Sequence, residues 1–182
     1  MKTQIFSLIA CLFLFIGCSK PTEAPETAAA PAFDEAQELA AIMATIENET
    51  KCFYARDYEC WKKNYAQTEY AFQCWSNSDG TFDAKVGWPQ VDAGIGKYIK
   101  DNPVPVGGSS HPKVERRNMV TKFFGESVCY MVWDQYNINQ ELTKYTHSKD
   151  ERIMEKINGE WKIVNVSSFW DYKNLVAVDS LK

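Results

Sequence analysis

The sequence predicts an α+β domain in which a strongly curved antiparallel sheet wraps against a long N-terminal helix. Apolar residues recur at helical spacing from Asp34 to about Ala55. Asn158-Gly159 joins two apolar-rich runs, which is the strongest short-range signal for a β-hairpin. Successive antiparallel strands with helices gathered on one side form an α+β layer. A sheet curved around a helix leaves a cone-shaped pocket at its open end.

The composition is that of a globular protein with no site for nucleic acid. The chain has 182 residues, enough for one domain with a hydrophobic core. Hydrophobic residues make up 45% and aromatic residues 14%. Acidic side chains number 24 against 20 basic ones, and no basic block occurs, so we expect no nucleic-acid partner.

The N-terminal residues indicate export. Met1-Lys2 precedes a short apolar run, Ile5–Ile16, which is too short to span a bilayer permanently and is typical of a signal peptide. Gly17 directly before Cys18 resembles the lipobox of bacterial lipoproteins. That resemblance implies a signal peptide over 1–17 and acyl chains on Cys18, which would hold the protein at the membrane. The alternative is an ordinary secretory signal with a chance cysteine.

Residues 18–33, which begin with the lipidated cysteine, are predicted to form a disordered tether. Their Pro, Ala, Thr and Glu side chains cannot bury enough apolar surface to fold. The expected location is therefore the bacterial cell envelope, at the outer membrane and facing the periplasm or the surface. The residues themselves do not distinguish the inner from the outer membrane.

The folded domain is expected over residues 34–174, followed by a C-terminal tail over 175–182. After the first helix, residue patterns predict a short helix, two short strands and a helix that begins at a proline, where proline is tolerated. In chain order these are Arg56–Ala66, Glu69–Ser76, Thr81–Trp88 and Pro89–Asn102. Four long strands then follow, over Lys113–Phe124, Ser127–Ile138, Thr146–Ile157 and Glu160–Trp170.

Four cysteines in the domain leave their pairing open. Cys52, Cys60, Cys74 and Cys129 allow three pairings if all are oxidised. The first two are separated by about 12 Å along an unbroken helix, too far for a disulfide unless the chain turns between them. The alternative is that the cysteines stay unpaired and pack in the core as small hydrophobic residues. The chain has no C-x-x-C motif and only two histidines, so we expect no metal site.

The order of these elements resembles the nuclear transport factor 2-like superfamily, in its SnoaL-like and polyketide-cyclase-like branch. The resemblance covers residues 34–172 and is carried by "ARDYECWKKNYA", "GIGKYI", "ERRNMVTKFFGESVCYMVWDQY" and "RIMEKINGEWKIVNVSS". It implies a cystatin-like arrangement, with helices over the concave face of the sheet. Members include isomerases, cyclases, dehydratases and modules that only bind small molecules or dimerise, so the fold does not decide the function.

The resemblance also implies pocket residues on the last hairpin. It places Arg152, Asn165 and Ser167 at positions that point into the pocket, where the arginine could hold a carboxylate. The alternative for Arg152 is a surface pair with Glu155 or Asp150. Related sequences often carry histidine where Asn165 and Ser167 stand. Neither of these side chains titrates near neutral pH, which removes a natural general base.

Aromatic residues are the candidates for the pocket wall, with core packing as the alternative. These candidates are Trp61, Tyr65 and Trp133. Gln135 shares the face of Trp133 by the two-residue period of a strand, and Asp134 lies on the opposite face unless a bulge inverts the order. We expect no catalytic residue and no cofactor.

We therefore expect a membrane-anchored module that binds a small apolar ligand or a protein. The alternatives are an isomerase, cyclase or dehydratase acting on a small apolar substrate, and a structural partner in an envelope assembly. A deep pocket with a carboxylate buried beside Tyr65 or Trp133 would favour the enzyme. Tyr130, Val132 and Tyr136 share the face opposite Trp133, so the outer sheet face is a candidate surface for a homodimer.

Overall fold

The computed structural model describes residues 32–104, 113–139 and 141–181. Cys18, the expected signal peptide and nearly all of the expected tether lie outside these residues, as do residues 105–112, between the predicted helix over 89–102 and the first long strand. The helices are α1 (Glu35–Ala55), α2 (Tyr58–Lys62), α3 (Trp88–Val91) and α4 (Lys97–Asp101). A π-helical turn, Asp92–Gly96, makes α3 and α4 one helical run. No helix in the described part of the chain has the length and apolar composition needed to cross a bilayer.

The strands form one curled sheet with two free edges. They are β1 (Phe72–Ser76), β2 (Phe82–Val86), β3 (Val114–Phe124), β4 (Val128–Ile138), β5 (Lys144–Ile157) and β6 (Glu160–Ala177). Their order across the sheet is β2-β1-β6-β5-β4-β3. The α+β class is confirmed, but the sheet is mixed, because β1 runs parallel to β6. β6 extends through Ala177, so regular structure enters the expected tail, and a short 3₁₀ helix, Val178–Leu181, follows.

Helix α1 is the central helix of the concave side. Asp34 caps its start by accepting hydrogen bonds from the backbone N–H groups of Ala36 and Gln37 at 3.0 and 3.1 Å. Ile42 and Ile46 are buried in the core cluster. The Trp161 indole of β6 donates to Glu38 at 2.6 Å, so the helix is held against the last hairpin by polar as well as apolar contacts.

A disulfide joins α1 to α2. Helix α1 ends because Arg56 adopts a left-handed conformation with φ of 57°, and α2 begins anew after the Asp57 cap. The turn brings the Cα atoms of Cys52 and Cys60 to 5.5 Å, and the two cysteines are bonded. The predicted end of the first helix near Ala55 is confirmed, and the stated condition for a disulfide, a turn between the two cysteines, is met. Cys74 and Cys129 are free.

Charged residues stabilise the outer end of β3. Glu115 accepts hydrogen bonds from Lys113 at 2.6 Å, Arg117 at 2.8 Å and the Tyr145 hydroxyl at 2.9 Å. These three donors lower the pKa of the Glu115 carboxyl to about 2. The carboxylate form is therefore the one that the folded state favours.

Candidate functional site

A cavity of about 500 Å³ lies between the concave face of the sheet and the helices. Its volume falls within the range of small-molecule sites. One wall is the second half of α1, the helical run adds Ile95 and Tyr98, and the opposite wall is the inner face of β1, β4, β5 and β6. The cone-shaped pocket expected from a curved sheet is therefore present.

Alternate residues of β5 supply the polar floor of the cavity. Residues two apart on a strand share a face, so Ser148, Asp150 and Arg152 point the same way. Across the ladder, Trp133 of β4 lies opposite Asp150, and Ser168 of β6 lies opposite it on the other side. The inner face of the sheet therefore carries a row of polar groups beside a buried tryptophan.

Asp150 is the buried acidic group of this row. Its side chain is fully buried and accepts hydrogen bonds from the hydroxyls of Ser148 at 2.5 Å and Ser168 at 2.9 Å, and from Arg152 Nη2 at 3.1 Å. Arg152 also donates to the Glu151 carbonyl at 2.9 Å, and its guanidinium lies 5.1 Å from the centre of the Trp133 ring. The two opposite charges compensate each other inside the protein.

A second carboxylate lies on the helical wall beside a buried tyrosine. Glu49 Oε1 accepts from the Tyr65 hydroxyl at 2.8 Å and from the Trp61 indole at 3.0 Å. Burial, with the charge of Glu49, raises the pKa of Tyr65 well above its ordinary value. The same causes raise the pKa of Tyr54 to about 12. Both phenols therefore stay protonated at neutral pH and remain hydrogen-bond donors.

Stacked aromatic pairs line both walls. Phe53 and Tyr98 stack on the helical side with ring centres 6.1 Å apart and 18° between their planes. Trp170 and Tyr172 stack on the sheet side at 6.0 Å and 22°. Flat apolar surfaces of this kind favour planar ring systems.

Several buried polar atoms in the described residues have no hydrogen-bond partner. They are Thr68 Oγ1, Gln73 Oε1, Asn137 Nδ2 and Arg152 Nε. All but Thr68 belong to residues that line the cavity. Buried polar atoms are almost always paired, and leaving one unpaired costs about 1–3 kcal/mol. Each of the four atoms is covered by neighbouring protein atoms, so three residues of the lining carry an unsatisfied polar atom within the cavity wall.

The structure brings some of the predicted pocket residues together and not others. Tyr65, Gln135 and Arg152 line the cavity. Trp61 and Trp133 are fully buried behind this lining, Trp61 with its ring centre 4.7 Å from that of Tyr65. Trp133 donates from its indole to Gln135 at 3.3 Å, so the predicted shared face of these two residues is observed.

Asn165 and Ser167 lie on the opposite face of β6, which corrects their expected place in the pocket. Ile163 pairs with Met154 on the inner face, but Asn165 pairs with Ile153, so Val164 is an extra residue at a β-bulge. Without the bulge Asn165 would lie opposite Arg152 and point inward. With it, Val166 and Ser168 take the inner face, and Ser167 bonds Asn165 outside the cavity.

Sequence reasoning missed Glu49, Gln73 and Ser168 as cavity residues. It considered Asp150 only as a surface partner of Arg152, although the two-residue period puts both on the same face. Gln73 lies between Phe72 and Cys74 on a short strand and has no distinguishing local pattern. Glu49 faces the cavity because of the direction of α1, which depends on tertiary packing.

Solved structures show that this fold is shared. A nuclear transport factor 2-like protein of unknown function from Shewanella oneidensis is 15% identical, with a TM-score of 0.53, covering 72% of this chain and 98% of that one. A cystatin-like fold protein from Burkholderia xenovorans is 12% identical, with a TM-score of 0.54 and coverages of 75% and 93%.

A putative calcium/calmodulin-dependent protein kinase II association domain from Xanthomonas campestris is 15% identical, with a TM-score of 0.54 and coverages of 81% and 95%. No family model and no curated protein matches the chain. The chain therefore has the nuclear transport factor 2-like, cystatin-like fold that the resemblance implied, and identities this low establish the fold alone.

Proposed function

We propose that this chain is an exported, lipid-anchored module that binds a small molecule in its cavity. The observation that carries the binding proposal is a cavity of about 500 Å³ whose lining combines stacked aromatic rings with the polar side chains of Gln73, Gln135 and Asn137. A bound molecule would cover the aromatic rings and meet these amide side chains. The proposed anchor rests on the sequence before the domain, where Gly17 precedes Cys18 and a polar tether follows.

The test is mass spectrometry of small molecules that co-purify with the exported protein. Val166 lies on the inner face, so Val166→Trp should fill the cavity and remove a bound molecule. Val120, 61% exposed on the outer face, provides the matched control Val120→Trp. We expect the same molecule with the native protein and with Val120→Trp, and its loss with Val166→Trp. Identical spectra from all three proteins would contradict the proposal.

A second candidate function is an isomerase, cyclase or dehydratase. The half-buried Glu49 beside Tyr65 and the buried Asp150 opposite Trp133 provide carboxylates of the kind that such an enzyme requires. Asp150 is held by three donors, including a cation, whereas Glu49 accepts from neutral donors and is the better candidate for a base. Incubation of the co-purified molecule with native protein and with Glu49→Gln distinguishes the two functions. Conversion by the native protein alone would favour the enzyme.

We also propose that the outer sheet face forms a homodimer, or a contact in an envelope assembly. Val120 and Phe124 are 61% and 60% exposed there, close to the half-buried Val132 and Tyr130. Apolar groups gathered on one exposed face favour association. The Xanthomonas campestris protein of the same fold is described as an association domain, which agrees with an assembling role.

A further inference from the structure

We propose that the cavity binds an organic cation whose charged head is an alkylated ammonium group. Free quaternary ammonium compounds and choline lipids share this head group. The inference rests on the proposed small-molecule-binding function and names the chemistry of the ligand.

The cavity lining carries one more negative charge than positive. In the described part of the chain, its charged side chains are Glu49, Asp150 and Arg152. Asp150 and Arg152 compensate each other, with Arg152 Nη2 3.1 Å from Asp150 Oδ2. Glu49 forms no ion pair with any residue that the structure describes, and it accepts hydrogen bonds only from neutral groups. The charge of Glu49 is therefore left for a ligand to compensate.

Arg116 of β3 acts on Glu49 through its charge but has another partner. Its guanidinium forms an ion pair with Glu47, and it is not a lining residue. The charge of Glu49 does reach the cavity wall, because it contributes to the raised pKa of the Tyr65 and Tyr54 phenols, which both line the cavity. A cation in the cavity would be attracted by the same charge, which is screened less there than in water.

Aromatic rings accompany this carboxylate on the helical wall. Residues four apart on a helix share a face, so Phe53 lies one turn beyond Glu49. The centre of the Phe53 ring is 5.2 Å from that of Tyr54 and 6.1 Å from that of Tyr98. The Tyr65 hydroxyl is 2.8 Å from Glu49 Oε1. A cation beside Glu49 would therefore meet a carboxylate with aromatic rings around it.

The chain already places a cation on one of the two stacked pairs of the cavity. The guanidinium carbon of Arg56 lies 4.9 and 5.0 Å from the centres of the Phe53 and Tyr98 rings. Among the described residues, no cation lies over Trp170 or Tyr172, the pair on the sheet side. Tryptophan is the aromatic ring that attracts cations most strongly. A ligand cation is thus attracted by Glu49 from one wall and by this pair from the other.

An alkylated head group matches these walls better than a bare ammonium group. A bare ammonium has three N–H donors, and aromatic rings offer them no oxygen or nitrogen acceptor. A trialkylated ammonium has no N–H group to satisfy, and aromatic walls are the usual sites for it. An anion would add to the charge of Glu49, and a neutral molecule would leave that charge uncompensated.

The experiment compares matched probes by calorimetry on the full chain in dodecyl maltoside micelles, a detergent without an ammonium group, with empty micelles as the blank. Choline is the alkylated cation, and in neohexanol a carbon replaces its charged nitrogen. The anion of tert-butylacetic acid has a similar shape and the opposite charge, and ethanolamine is the cation without methyl groups. We expect choline to bind tightest, by about tenfold over neohexanol and ethanolamine.

Glycerophosphocholine distinguishes the two sources of the head group. It is the water-soluble part of a choline lipid and carries the same cation beside a phosphodiester. Tighter binding than choline would indicate a lipid, and weaker binding a free ammonium compound. Either result agrees with the proposed class.

A variant locates the effect. Glu49→Gln removes the charge but keeps an oxygen for the Tyr65 and Trp61 donors. It should weaken choline by about tenfold and leave neohexanol unchanged. Glu35→Gln, exposed at the start of α1, is the matched control and should change neither. The comparison of choline with neohexanol on the native protein stands even if Glu49→Gln fails to fold.

The ligand class would be overturned by equal affinity of choline and either neohexanol or ethanolamine, by tighter binding of any of the three comparison probes, or by no binding at all. A comparison probe that binds tightest and is lost in Val166→Trp would leave the small-molecule site intact. If no probe binds and Val166→Trp leaves the co-purifying molecules unchanged, the proposed function fails as well.

Discussion

Replacement of Asp150 by alanine should destabilise the folded domain by about 3–5 kcal/mol, the cost of leaving a buried charge without its partner. Asp150 is fully buried and Arg152 is 7% exposed, so water cannot replace the lost carboxylate without a rearrangement of the cavity floor. The hydroxyls of Ser148 and Ser168 lose the same acceptor. For a domain of this size, the loss corresponds to a drop in Tm of roughly 10 °C.

The assay is urea unfolding followed by tryptophan fluorescence, with the disulfide intact. Asp150→Ala, Arg152→Met and the double variant form a double-mutant cycle. The double variant removes both charges, so its loss should be smaller than the sum of the single losses by about 2 kcal/mol or more. A surface pair on β6, the exposed Glu160 and the half-buried Lys162, 2.6 Å apart, gives the control cycle and should be nearly additive.

Additive losses for Asp150 and Arg152 would contradict a coupled, buried ion pair. So would an Asp150→Ala protein as stable as the native one. Either result would mean that Arg152 is solvated or finds another acceptor, and that the charge of the cavity floor is not compensated as described.

The remaining predictions concern anchoring, assembly, the disulfide and acid stability. Cys18→Ser should abolish incorporation of a labelled fatty acid, and equal label in both proteins would exclude lipidation. Val132→Asp should split a dimer seen by sedimentation of lipid-free protein while leaving the monomer folded, because Val132 lies on the outer face; a native protein that is monomeric at every concentration would contradict the dimer. Replacing Cys52 and Cys60 by serine should lower the free energy of unfolding by about 2–3 kcal/mol, the value for a loop this short, and unchanged urea unfolding would show that the bridge is dispensable. The pKa of Glu115 is lowered to about 2, so its contribution to stability is present above its unfolded pKa of about 4.3 and is lost as the pH falls toward 2. In Glu115→Gln, the free energy of unfolding should therefore fall less steeply with decreasing pH in that window. An unchanged pH profile would exclude this contribution.

Local signals were sufficient for most elements of the fold. Asp34 caps α1 as its acidic side chain and position indicate, and the helix ends at Ala55, as predicted. Asn158-Gly159 forms the hairpin turn between β5 and β6. These features depend on residues close in the chain, whose capping bonds and turn conformations are available before the rest of the protein packs.

Features that depend on distant parts of the chain were not predictable. The left-handed conformation of Arg56 permits the bridge between Cys52 and Cys60, although arginine has no marked preference for that conformation. The parallel pairing of β1 with β6 joins strands separated by most of the domain. Neither leaves a periodic pattern in the residues involved.

The residues of the candidate site also divide into those predictable from local signals and those that depend on tertiary packing. Arg152, Gln135 and Tyr65 could be selected from the sequence because strand period and family resemblance identify them one at a time. Gln73 and Glu49 could not, because their roles arise from elements that meet across the cavity. The fold class and the order of the elements followed from the sequence, whereas export remains a prediction from the N-terminal residues. Tertiary structure decided which side chains face the cavity, because one inserted residue at Val164 reverses the faces of β6, and pairing between strands sets the register on either side of it.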